Sequence, residues 1–474
     1  MQHSPTPSTV LLAGTVMMTA LLGLERSDTI AEEPVRTNLI DQTQQSLAWP
    51  RFLGSTFDGS STANFADIDW SREPELAWSI NVGDGYGLGS IANGKYLQCD
   101  ADPDQKGEQI EERLRCFDLK TGIQQWTSSQ PILYSDMLGY EDGPRSSPTI
   151  VGDLVYTFGV TGWLTCRSMV DGAIVWTIDT NTDYGVVQNF FGVGSSPLVL
   201  DDKLIVMVGG SPKEDQNLPP MRLDRLRSNG SAVVAFHRKT GKELWRCGDD
   251  LASYSNPRPV NVNGETLVLL FARTGLLAID PQKGKVRWKY DHRAEVLESV
   301  NAMVPIVEDN HVLISECYEV GSVLLKISAS SDPEIVWKDP NRNRRSQAMR
   351  SHWATPVLVD GFLYGCSGRN APDSDFRCVN FMTGKVQWSD SRRIRSSVTR
   401  VGQFLVVLEE RGVLQILNAN PEELDKVAQW DLGVANKKRP AIEYPCWSAP
   451  IVVGDLLIVR GTNQVVALQL ARKP

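Results

Sequence analysis

A short phrase returns along the chain. In Thr240-Gly241-Lys242-Glu243-Leu244-Trp245 a polar turn ends in glycine, and a tryptophan closes the segment four residues later. The same beat falls at Gly122/Trp126, Gly172/Trp176, Gly284/Trp288 and Gly384/Trp388. A repeat of about 20–50 residues marks a solenoid, propeller or array, in which each unit buries its apolar face against its neighbours. No other feature of the chain narrows the fold as far.

Around this phrase each unit has one grammar. A Ser/Pro-rich start such as Ser147-Pro148 leads into a short apolar strand, then an Asp/Gly turn, a β-branched strand, a hairpin, and the tryptophan strand. Period-2 alternation with Gly, Asp and Asn punctuation predicts an all-β chain. Middle hairpins fall near 93–118, 152–168, 201–237, 263–280, 308–327, 360–380, 401–419 and 453–470. Seven are followed by a closing tryptophan: Trp126, Trp176, Trp245, Trp288, Trp337, Trp388 and Trp430. The eighth unit, Trp447 to Leu470, runs out before its fourth strand, whereas Trp78 sits on a strand with no unit before it. The expected fold is an eight-bladed β-propeller of four-stranded antiparallel blades, the N-terminal strand completing the last blade. Closure removes the open edge that invites aggregation. The third unit inserts Ser211–Gly230, a long polar loop on one face, where propellers often keep binding surface.

Domains are expected at 1–30 (signal peptide or membrane anchor), 31–70 (extended lead-in) and 71–474 (the propeller). Val10–Leu24 is an apolar run of signal-core length, too short for a comfortable span, although no Lys or Arg precedes it. An exported location follows, periplasmic or in the cell envelope, with membrane contact only through such an anchor. Hydrophobic residues make up 41% and charged residues 22%, enough apolar material for a large core. A net charge of −9 argues against a nucleic-acid partner, whose phosphates need a basic face.

The turn-Gly-Lys-x-x-Trp repeat resembles the PQQ-like (pyrrolo-quinoline quinone) repeat of quinoprotein dehydrogenases and of the outer-membrane-assembly lipoprotein propellers. Trp49-Pro50-Arg51-Phe52, Gly143-Pro144-Arg145-Ser146-Ser147-Pro148 and Gly152-Asp153-Leu154-Val155-Tyr156 look like exported bacterial PQQ-binding-like propeller proteins. That resemblance implies a channel able to take PQQ with calcium. The catalytic carry-over fails: there is no Cys-Cys pair and no Cys-x-x-Cys-His haem site, and no catalytic base is assigned.

Residues that begin each unit face the central channel of a propeller. The candidates for binding are Arg145, Asn301, Arg350, His352, Trp353 and Trp447, with Asn189, Ser195, Ser196, Tyr254 and Arg395 in the same slot of other units. Arginine forks and aromatic faces suit a small anionic or planar ligand such as PQQ. The alternative is that these side chains only hydrogen-bond the inner strands and channel water. The expected function is a non-catalytic binding or interaction scaffold, a monomer with such a ligand or an envelope protein as partner. A PQQ-dependent alcohol or polyol dehydrogenase is the second reading.

Other motifs are weak. The five histidines lack zinc spacing, and no metal site is assigned. Gly83-x-Gly85-x-Gly87-x-Gly89 reads as a tight turn at the mouth of the first blade. Asp100, Asp102 and Asp104 begin like a calcium loop, but Gln105 stands where a glycine is needed, so a solvated acidic hairpin tip is expected. Cys99/Cys116 and Cys366/Cys378 share hairpins, and an exported chain could bridge them. Cys166 and Cys317 occupy equivalent slots alone, which favours small buried thiols instead.

Overall fold

The computed structural model describes residues 48–102, 109–219, 222–391 and 393–474. The Val10–Leu24 run, the lead-in to Ser46, Asp104 and Gln105 lie outside them. Eight antiparallel blades follow one another in sequence. The first is Ser90–Ala92, Lys95–Ala101, Gln109–Asp118 and Gln124–Leu133 from the centre outward. The others occupy 149–179, 198–247, 258–291, 306–338, 357–390, 396–431 and 451–469.

Burial explains the sequence pattern strand by strand. Second and third strands such as Lys203–Met207 and Val233–His237 lie between two neighbouring blades, so both their faces are covered and they read as apolar runs. Outermost strands alternate instead: in Lys285–Asp291 only Trp288 is fully buried. The single helix among the described residues is one short turn, Thr180–Tyr184, capped by Asp179.

A β-bulge sits one residue before most closing tryptophans. Ala235 faces Trp245 but Phe236 faces Glu243, which leaves Leu244 without an opposite residue. Equivalent shifts leave Gln125, Val175, Arg287, Val336, Gln387 and Ala77 unopposed. A bulge re-aims the next side chain. Here it turns the indole toward the next blade and pushes its own residue outward, which accounts for exposed Val175, Leu244 and Val336. In the seventh blade the bulge lies at Val427, three residues before Trp430.

The ring closes as the orphan strand required. Glu75–Asn81 pairs antiparallel with Gln464–Gln469, Trp78 opposite Ala467, and completes the eighth blade. Residues 48–70 are more than a lead-in. Trp49 exchanges backbone hydrogen bonds with Ile91 of the first blade (2.9 and 2.8 Å), and Ile150 N of the second donates to Pro50 O (2.8 Å). Ser60–Ser61 then pairs parallel with Arg400–Val401 of the seventh. These contacts fall at the far ends of the inner strands, so the segment crosses one end of the channel.

The acidic hairpin differs from expectation. Asp100 is buried, accepts from Gly83 N (3.0 Å), and pairs with Arg113 (2.9 Å) and Arg115 (3.0 Å). It is an internal ion cluster rather than a solvated tip, because the arginines of the facing strand bring their own charge inside. All eight cysteines are free thiols. Cys116 lies opposite Leu97 and Cys99 opposite Leu114, so the two are diagonal neighbours rather than a facing pair. Cys366 and Cys378 are offset in the same way, opposite Phe376 and Tyr364.

Candidate functional site at the centre of the ring

The inner strands are short, three residues in the first, second, third, fifth, sixth and eighth blades, so the residues before them form the channel rim. Serine and threonine in and beside these strands tie blade to blade. Ser90 Oγ donates to Pro148 O (2.6 Å), Thr149 Oγ1 to Pro197 O (2.7 Å), Ser255 Oγ to Met303 O (2.8 Å) and Ser448 Oγ to Tyr86 O (2.8 Å). The Ser/Pro-rich starts therefore close the ring's inner hydrogen bonding.

The glycine-rich run of residues 83–89 belongs to this framework. Tyr86 N and Gly87 N donate to Pro144 O (3.0 and 3.2 Å), and a methyl group on Gly85 would meet the same oxygen at 2.6 Å. Close backbone approach requires glycine there.

Inside the rim lies a cavity of about 210 Å³. Its wall is aromatic. Trp447 packs against Tyr86 (ring centroids 4.8 Å), Trp353 (5.2 Å) and Tyr140 (5.7 Å), and Phe191 continues the wall between Tyr140 and Tyr254 (5.4 and 5.5 Å). Phe52 and Leu53 of the N-terminal crossing segment also line it. Apolar residues thus close the end where the inner strands finish, and polar groups gather at the end where they start.

The Arg395 guanidinium sits over the packed pair of indoles, 4.8 Å from the Trp353 ring and 4.9 Å from the Trp447 ring, whose own centroids are 5.2 Å apart. Its edges are bound as well. Nε and Nη2 reach Glu410 Oε2 (2.7 and 2.6 Å), Nη1 reaches Asn370 (3.2 Å) and Nη2 the Tyr444 hydroxyl (3.4 Å). The same Glu410 oxygen accepts from Trp447 Nε1 (3.0 Å), so one carboxylate orients both the cation and one of its aromatic faces.

Four of the six candidates, Arg145, His352, Trp353 and Trp447, line this cavity; Asn301 and Arg350 do not. Arg145 is held by Asp136 (2.7 Å) and by the carbonyls of Gly143 (2.6 Å) and Glu141 (2.8 Å). Asn301 is buried, and its amide donates to the carbonyls of Ala272, Arg273 and His292 (2.9, 3.2 and 3.1 Å), while its neighbours Val300 and Ala302 face the cavity. Arg350 turns to Asp373, binding its carboxylate and its carbonyl (both 2.8 Å). Backbone carbonyls thus draw Asn301 away from the channel, and the carboxylate and carbonyl of Asp373 draw Arg350.

His352 packs on Trp353 (4.9 Å), and its Nε2 meets the Tyr318 hydroxyl at 3.3 Å. It is partly exposed and lines the cavity. Enclosure by protein, with Arg369 and Arg395 nearby, pulls its pKa down to about 3, so the ring is neutral at physiological pH. The blade-three insertion reaches the rim too: Leu223 and Leu226 pack with Phe190, Phe191, Tyr254 and Val300.

Glu410, Tyr86, Tyr140 and Phe191 were not among the expected site residues. Arg395 was legible, since Arg395-Ser396-Ser397 repeats Arg145-Ser146-Ser147. Glu410 follows a second strand and Tyr140 lies in the loop between two blades, positions for which the repeat makes no channel prediction.

Among the described residues no group of three or more His, Cys, Asp or Glu is placed to hold a metal ion. Of the carboxylates beside the cavity, Glu410 and Asp136 are engaged by arginine and Glu141 accepts from Gly85 N (2.6 Å). This donor set does not fit a calcium-bound, tricarboxylated quinone. No described helix is long and apolar enough to cross a membrane.

Comparison with known proteins agrees with the architecture. A family model described as outer membrane protein assembly factor BamB matches residues 110–390 and 228–471. An uncharacterized protein of Rickettsia prowazekii (strain Madrid E) is 23% identical over 284 residues, 58% of this chain and 60% of that protein. Another from Rickettsia conorii is 23% identical over 62% of this chain and 64% of its own length. The match thus spans less than two thirds of those relatives. Among solved structures, BamB from Moraxella catarrhalis superposes with TM-score 0.53 at 14% identity, covering 85% of this chain and 99% of that one. A europium-containing methanol dehydrogenase gives TM-score 0.65 at 12% identity, covering 90% and 92%. At such identities the likeness concerns the fold.

Proposed function

We infer the function of this chain from the premise that it belongs to the outer membrane protein assembly factor BamB family, and from the chemistry of its central cavity. We read it as a non-catalytic binding module of the cell envelope, exported and monomeric, that holds a ligand or a partner group at the channel rim. The observation that carries this reading is the aromatic cavity built around Arg395, Trp353 and Trp447. Such a concave, mostly apolar site with a few fixed polar groups is the usual form of a ligand pocket. Two nearby carboxylates, Glu410 and Asp136, are held by arginines, which leaves them poorly placed to act as a general base. The cavity residues support the binding reading.

A titration of the full chain with PQQ, with and without calcium, tests the reading through the fluorescence of Trp353 and Trp447. The expected result is no calcium-dependent saturation and no dye-linked oxidation of alcohols or polyols. Saturable binding with turnover would replace the scaffold reading with an oxidoreductase. Fractionation of a bacterial host expressing the full chain checks export, the expected signal being in the envelope or periplasmic fraction.

A further inference from the structure

The cations of the cavity are cancelled by groups that the fold itself supplies. Arg395 packs against both indoles and has a partner at every guanidinium nitrogen, with Glu410 the dominant one. Arg145 is neutralised by Asp136 and drawn toward two carbonyls. His352 is neutral. The serine and threonine hydroxyls that line the cavity are turned to backbone as well: Ser397 Oγ donates to Trp447 O (2.7 Å), Ser448 Oγ donates to Tyr86 O, and Thr355 Oγ1 accepts from Val304 N (3.0 Å). A carboxylate entering here would lose its water and meet Glu410 beside Arg395, and both arginines that line the cavity are already paired. An uncharged ring loses little on leaving water and gains contact with Trp353, Trp447, Tyr254 and Phe191. A cavity of 150 Å³ lined by apolar side chains takes up benzene; one of about 210 Å³ has room for a larger ring system.

We propose that Glu410 masks the Arg395 guanidinium, so that the central cavity admits an uncharged one- or two-ring aromatic molecule and turns away a carboxylated one. The proposal rests on the reading of the cavity as a binding site and narrows the expectation of a small anionic or planar ligand to an uncharged planar one. It makes Glu410 the residue that sets charge preference, through the cation it holds.

The test is calorimetric titration of the full chain at neutral pH with 2-naphthol and with 2-naphthoate, ring systems that differ in charge. 2-Naphthol is expected to bind at least about tenfold tighter, a difference typical of one uncompensated charge contact. In Glu410→Gln the amide still accepts from Trp447 Nε1 but no longer neutralises Arg395. That variant should gain about tenfold for 2-naphthoate and change little for 2-naphthol. Equal or tighter binding of 2-naphthoate to the native chain overturns the proposal while leaving the cavity as a site, and so does a Glu410→Gln variant with no gain. If neither compound binds, or if filling the cavity with Ala302→Phe leaves 2-naphthol binding unchanged, both the proposal and the cavity reading fall. If N-acetyl-tryptophanamide binds more tightly than 2-naphthol, the ring belongs to a polypeptide and the small-molecule assignment is wrong.

Discussion

Gly122 of the first blade lies flat against Trp78 of the eighth: a methyl group on Gly122 would sit 2.7 Å from the indole Cγ, and Trp78 Nε1 donates to Leu119 O at 2.8 Å. The contact joins the last blade to the first. The same seat recurs where Gly172 meets Trp126, Gly241 meets Trp176, Gly284 meets Trp245 and Gly384 meets Trp337. The glycine of each phrase therefore serves the tryptophan of the preceding blade, not its own. Positive φ, +69° at Gly122, and the missing Cβ are both required, one to form the turn and the other to admit the ring.

Gly122→Ala should separate these two roles when compared with Gly94→Ala. Gly94 has the same φ of +69°, but a methyl group there would find nothing within 4 Å. Gly94→Ala should lose only the backbone term, about 1–2 kcal/mol. Gly122→Ala should lose about 1–3 kcal/mol more through the clash with Trp78. Urea denaturation of the two variants measures the gap, and equal losses would mean that the indole moves aside freely.

The closing tryptophans are unequal. Trp288 is 3% exposed and Trp78 5%, whereas Trp245 is only partly buried. Trp288→Ala should cost about 3–5 kcal/mol, the range for emptying a buried aromatic site. Trp245→Ala should fall below that range, because part of its ring already meets water. Thermal or urea unfolding of both variants ranks them.

His352 should make stability fall in mild acid. Its native pKa, about 3, lies below the ordinary 6.5. Between those values the unfolded chain binds a proton that the native ring does not, so the contribution is full above the ordinary pKa and is lost as pH falls through that window. His352→Gln removes the titration. The stability of the native chain relative to this variant should decline from pH 7 to pH 4 in urea midpoints. A constant difference would mean that the native ring protonates freely.

Thiol counting checks the cysteines. Denatured, unreduced protein should give eight reactive thiols, because the members of each candidate pair are offset along their hairpin. In the native state reaction should be slow, since burial pushes thiols such as Cys446 up to about 12.

How much of this was legible depends on how local each signal was. The eight hairpins, the seven closing tryptophans and the orphan strand at Trp78 were readable because their spacing is set within one unit. The partner of each turn glycine was not, since the contact lies in the preceding blade. Among the site residues, Arg145, His352, Trp353 and Trp447 could be placed by their slot alone. Asn301 and Arg350 share that slot, but open carbonyls around Asn301 and the Asp373 loop draw their side chains elsewhere.

The chain of amino acids by itself determined the number of blades, their order and the strand that closes them, because turns, alternation and neighbour docking repeat at short range. Only the tertiary structure decided what the centre of the ring can bind. Glu410, Asp136 and the Phe52-Leu53 floor come from a strand end, an inter-blade loop and an N-terminal crossing segment. No repeat spacing brings such distant pieces together. Their convergence cancels the charge of arginines that the sequence, read alone, leaves free.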